Sequence, residues 1–150
     1  MRIGLVTVAG LLGALHLWVG IRFLLSVDDI AKALAIAKDG GLEVVQRLDL
    51  KVWRSNAGFA ASVSATLGVA GLLSSFLIAV RWTWAWMAWL AVISVTAAYH
   101  TLWVAADFGY YGTLSLGDVT VTAAIVLLCV ASWMYLTRAS ARAALLSSSV

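Results

Sequence analysis

Residues Val119 to Thr137 read VTVTAAIVLLCVASWMYLT, nineteen positions without a charge. A helix rises ~1.5 Å per residue, so a run of this length crosses the ~30 Å hydrocarbon core of a bilayer. Three further uncharged stretches, 3 to 21, 57 to 80 and 82 to 106, are at least as long. Of the 150 residues 63% are hydrophobic and only 11% charged, and mean hydropathy is +1.00. A soluble domain carries roughly 25% charged residues. Lipid offers the backbone no hydrogen-bond partners, and the segments are too long for ~10-residue barrel strands, so each span is read as a helix.

The expected fold is an all-α membrane protein, a four-transmembrane-helix bundle forming one integral membrane domain over residues 1–150. Its spans are placed at about 3–25, 55–80, 82–107 and 117–138. The first run is longer than the ~7 to 15 residues of a secretory h-region, so it reads as a retained anchor. Basic residues set the orientation. Arg2, Arg81, Arg138 and Arg142 fall on one side with no carboxylate, and the positive-inside rule makes that side, with both termini, cytoplasmic. The single cysteine, Cys129, lies within the fourth span, so an intrachain disulfide is excluded.

Eleven of the seventeen charged residues occupy the connection 22–56. Ser26-Val27-Asp28-Asp29 has the look of a capping box, Ile30, Ala33, Leu34 and Ala37 make an apolar stripe, and Gly40-Gly41 offers a left-handed stop. Beyond it Val44, Val45, Leu48 and Val52 share one face, with Glu43, Gln46, Arg47 and Lys51 on another. These patterns predict an interfacial amphipathic helical hairpin between spans 1 and 2, with helices at about 27–39 and 42–53. Its nearly balanced charge argues against a nucleic-acid partner.

Small residues recur at helical spacing in the first two spans. Ala61, Ser64, Gly68, Gly71 and Ser75 draw one stripe, and Gly10, Gly13, Ala14 and Gly20 draw another. In lipid, where apolar association lacks its usual drive, small residues let helices approach closely. The two spans are therefore expected to pack on each other, or one stripe to face another subunit. The tryptophans at 82, 84, 86, 89 and 133 read as an aromatic belt at headgroup depth.

His16 and His100 are the ionisable groups deep in the spans, and such residues are costly in lipid and tend to mark ligand or proton pathways. They lie about 20 Å and 27 Å along their helices from one membrane edge, at ~1.5 Å per residue. Arg22 and Asp107 end the same two spans and are candidates for the same role or for a mutual salt bridge. If the histidines face one another they would suit a b-type haem, a possible cofactor; otherwise each donates across helices to a carbonyl or hydroxyl. Ser115 and Asp118 have capping-box spacing ahead of the fourth span.

Phosphate-loop, Cys-x-x-Cys, His-Glu-x-x-His and Gly-x-Ser-x-Gly motifs are all missing, and proline is absent throughout. The expectation is a small non-catalytic integral membrane subunit or accessory protein whose partners are the lipid bilayer and other membrane subunits, or further copies of itself. A haem-binding electron carrier using His16 and His100, and a small proton, ion or lipophilic-molecule carrier, are the alternatives.

Overall fold

The computed structural model describes residues 2–46, 48–111 and 115–146, and these are helical with no strand among them. Six helices follow in order: α1 (Arg2–Asp39), α2 (Glu43–Gln46), α3 (Leu50–Ala79), α4 (Ala85–Tyr111), α5 (Leu116–Leu136) and α6 (Ala139–Leu146). Four of them, α1, α3, α4 and α5, are long and apolar enough to cross a membrane. The chain divides into two compact units, Leu12–Val69 and Met1–Leu11 with Ala70–Val150.

In the Leu12–Val69 unit, α1 runs unbroken through the position where a capping box was expected. Ser26 does not cap. Its hydroxyl donates to the Phe23 carbonyl at 3.3 Å, a bond made inside a continuing helix, and no glycine or proline interrupts residues 21–39. The separate helix placed at 27–39 is thus the second half of α1. At ~1.5 Å per residue a 38-residue helix is about 57 Å long, well beyond a ~30 Å core, so its last turns project past the apolar layer.

The stop falls where glycine was expected to supply it. Gly41 takes φ +79°, the Gly41 N–H donates to Lys38 O at 3.1 Å and the Leu42 N–H to Ala37 O at 3.0 Å, the paired bonds of a Schellman cap. The second arm departs from the expected 42–53 helix. α2 is a single turn, and Asp49 then restarts the chain by accepting from the Lys51 and Val52 amides at 2.9 and 3.2 Å. Leu50 to Trp53 consequently belong to α3, which begins before the expected 55. The hairpin exists, with each arm an extension of a span. Lys38 donates to Leu48 O at 2.8 Å, and Arg54 meets Asp28 at 2.7 Å across the two arms.

Deeper in this unit α1 and α3 approach to backbone contact. A Cβ on Gly20 would stand 2.8 Å from Ala61 O and from Ala65 Cα, and one on Gly68 would strike the backbone of Leu17. Side chains larger than hydrogen at these two sites would hold the helices apart. Ala61 and Ser64 are buried on the same face of α3, and Gly13 is buried on α1.

In the other unit Ser75 donates to Val6 O at 2.9 Å, and a Cβ on Gly10 would lie 3.2 Å from that hydroxyl, while Gly71 is buried on α3. α3 ends in a second Schellman cap: Arg81 N–H to Ile78 O at 3.2 Å and Trp82 N–H to Leu77 O at 3.0 Å, with Arg81 at φ 62°. Trp82, Thr83 and Trp84 form the following turn, so α4 starts at Ala85 and not at the expected 82. α4 and α5 then pack antiparallel. Ser115 caps α5, its hydroxyl accepting from the Asp118 amide at 3.4 Å, as the spacing suggested. The short α6 was not anticipated; it buries Ala141 and Leu145.

Candidate functional site

The polar side chains buried in the spans gather at helix seams. In the Leu12–Val69 unit His16 sits on the packed face of α1, 7% exposed. Its Nδ1 lies 2.9 Å from Leu12 O, and since a carbonyl only accepts, Nδ1 carries the proton and donates. Ser64 of α3 donates to the His16 backbone carbonyl at 3.2 Å. Arg22, exposed on the next turns of α1, holds its guanidinium 5.6 Å from the centre of the Trp18 ring.

In the other unit the α4–α5 seam is joined by reciprocal indole donors. Trp89 of α4 donates to Ser132 of α5 at 3.1 Å, and Trp133 of α5 donates back to Ser94 of α4 at 2.8 Å. Ser94 also lies 3.8 Å from Cys129 Sγ. Trp89 has no exposed surface, so it departs from the belt reading: it shares its face with buried Ile93, Thr96 and Ala97, and a hydroxyl waits across the seam. Thr96 returns its hydroxyl to Val92 O at 2.8 Å. The Thr122 hydroxyl of α5 is buried with no hydrogen-bond partner.

His100 lies partly buried on α4, edge-on to the Tyr99 ring at 5.3 Å between centroids. Asp107, near the end of α4, follows Trp103 by one helical turn. The four sequence candidates therefore fall as two sets: His16 and Arg22 in one unit, His100 and Asp107 in the other. Each of Arg22 and Asp107 follows a tryptophan by four residues on its own helix. Among the described residues, no three His, Cys, Asp or Glu side chains converge as a metal site.

The opposite end of the α4–α5 pair carries a feature that sequence reasoning missed. Arg142 of α6 holds its guanidinium 4.9 Å from the centre of the Trp86 ring. Beside this pair a groove of about 450 Å³ is lined by Trp86, Met87, Leu90, Ala91, Trp133, Thr137 and Arg142. Its signal was present in part, as an arginine four residues after Arg138 following an aromatic span end, but the helix that returns Arg142 to Trp86 was not legible.

Comparison with protein-family models, characterised proteins and solved structures yields no match.

Proposed function

We propose that this chain is a small non-catalytic integral membrane subunit or accessory protein that packs into a larger membrane assembly. The observation that carries this reading is the outward face of α3. There Ser55, Ser62 and Thr66 lie exposed at helical spacing, with the Ser62 and Thr66 hydroxyls already returned to Gly58 O at 2.8 Å and Ser62 O at 2.9 Å. A self-satisfied hydroxyl stripe is tolerable in lipid and lets another helix come close. The polar groups between helices support the same reading, since Ser64, Ser75, Trp89 and Ser132 each join one helix to another instead of lining a reaction chamber. Only 17% of the most apolar stretch of α5 is buried within the chain, which leaves most of that helix facing lipid or a neighbour.

The test is purification in mild detergent from the native membrane, with an absorption spectrum and identification of stoichiometric companions by mass spectrometry. A companion lost on Ser62→Leu with Thr66→Leu, while the purified variant keeps its helical circular dichroism, supports the assembly reading. A monodisperse, colourless monomer with no companion overturns it. A Soret band lost on His100→Ala would replace it with a haem-binding carrier.

A further inference from the structure

The groove beside Trp86 and Arg142 combines three properties that match one ligand class. Its floor is apolar, made by Met87, Leu90 and Ala91 with the Trp133 ring. At about 450 Å³ it falls within the ~300 to 1,000 Å³ of small-molecule sites. Its charged lining residue is a cation, Arg142. The Arg142 guanidinium carbon lies 4.9 Å from the centre of the Trp86 ring, and a guanidinium is the side chain that pairs bidentately with phosphate.

Charge at this end of the unit is one-sided. Arg81 precedes α4, and Arg138 and Arg142 follow α5, whereas the acids of residues 70–150 are Asp107 and Asp118, near the end of α4 and the start of α5. Since the two helices are antiparallel, those acids sit at the far end of the pair. The groove is also open to its surroundings: Met87 is 45% and Trp133 47% exposed. It lies at the tryptophan-rich ends of two spans, the depth of lipid headgroups.

We propose that this groove binds an anionic phospholipid, its phosphate paired with Arg142 and its acyl chain laid along Met87, Leu90, Ala91 and Trp133. A lipid fits better than a soluble anion because the lining is mostly apolar. Phosphate pairing holds the headgroup, while the chain fills surface that would otherwise solvate loosely packed lipid tails. The site does not depend on the assembly reading above.

The experiment is native mass spectrometry of the full chain in detergent, titrated with phosphatidylglycerol and, separately, with phosphatidylcholine of the same acyl chains. Phosphatidylglycerol is expected to be retained preferentially. Arg142→Gln should weaken it about tenfold or more, the loss of charge-assisted pairing, and Arg142→Lys should recover part of that loss. Ala91→Trp, at an exposed groove position, should displace both lipids without touching the charge, which keeps the proposal testable if α6 detaches in the Arg142 variants. Arg22→Gln, in the other unit, should leave binding unchanged. Equal retention of the two lipids, or phosphatidylglycerol binding indifferent to both Arg142→Gln and Ala91→Trp, overturns the proposal. Competition by inorganic phosphate at equal strength would overturn the lipid assignment in favour of a phosphate site, and a lipid-free dimer dispersed by Ala91→Trp would give the groove to a second copy.

Discussion

The indole of Trp89, with no exposed surface, donates to the Ser132 hydroxyl at 3.1 Å across the seam of α4 and α5. Replacing Ser132 with alanine leaves that N–H without its acceptor among apolar neighbours. The expected cost is about 1 kcal/mol, because hydrogen bonds between membrane helices average ~0.6 and reach ~1.7 kcal/mol. A double-mutant cycle with Trp89→Phe, read by unfolding in mixed micelles, should return a coupling in that range; strictly additive losses would mean that the bond contributes nothing.

Close approach of α1 and α3 rests on two hydrogens. Gly20→Ala and Gly68→Ala place a Cβ into backbone, whereas Gly58 has nothing within 4 Å of an added Cβ. Overpacking costs typically 1 to 3 kcal/mol or more when backbone has to move, so each variant should lose about that much. Gly58→Ala, inside a helix, should gain up to about 1 kcal/mol from propensity. Thermal unfolding of the three variants side by side checks the contrast.

The two Schellman caps predict opposite signs. Gly41 and Arg81 both occupy the left-handed region, at φ 79° and 62°. A side chain there costs roughly 1 to 2 kcal/mol. Gly41→Ala should therefore destabilise by about 1 kcal/mol, and Arg81→Gly should stabilise by a similar amount. A drop in the unfolding midpoint of Arg81→Gly would show that the Arg81 side chain contributes more than its backbone costs.

The ion pair between Arg54 and Asp28 is short, 2.7 Å, but its side chains are 60% and 56% exposed. Water and salt screen such pairs, which are worth about 0 to 1 kcal/mol. Arg54→Gln should shift stability by less than either glycine variant, and a larger loss would mark the hairpin arms as dependent on this pair.

Orientation is checked by labelling. With Cys129→Ser to remove the native thiol, a cysteine introduced by Ser140→Cys on α6 should resist a membrane-impermeant maleimide in intact cells and react after permeabilisation. Reaction in intact cells would reverse the orientation drawn from Arg2, Arg81, Arg138 and Arg142.

Four spans, the Gly41 stop and the Ser115 cap were legible because each depends on local properties: apolar length against bilayer thickness, the freedom of a residue without a Cβ, and one hydroxyl ahead of a helix. The break expected at Ser26 failed for a reason equally local in appearance. A serine hydroxyl bonds to a carbonyl three residues back as readily as it caps, and the choice depends on whether the chain goes on as helix. Arg142 was visible as a positive charge on the tail, but its place over Trp86 required α6, which is only eight residues long.

What the sequence by itself determined is how many helices cross, roughly where they turn, and which end is basic. The small-residue stripes marked the packed faces of α1 and α3, but which way the aromatic and polar residues turn came from tertiary structure alone. Trp84 is exposed and Trp89 enclosed although both belong to one aromatic cluster, and His16 is turned into a seam while neighbouring Leu15 faces outward. The physical reason is that lipid and protein interior are about equally apolar. A spanning helix therefore carries no strong polar face to mark its inward side, and steric fit at residues such as Gly20 and Gly68 makes the choice.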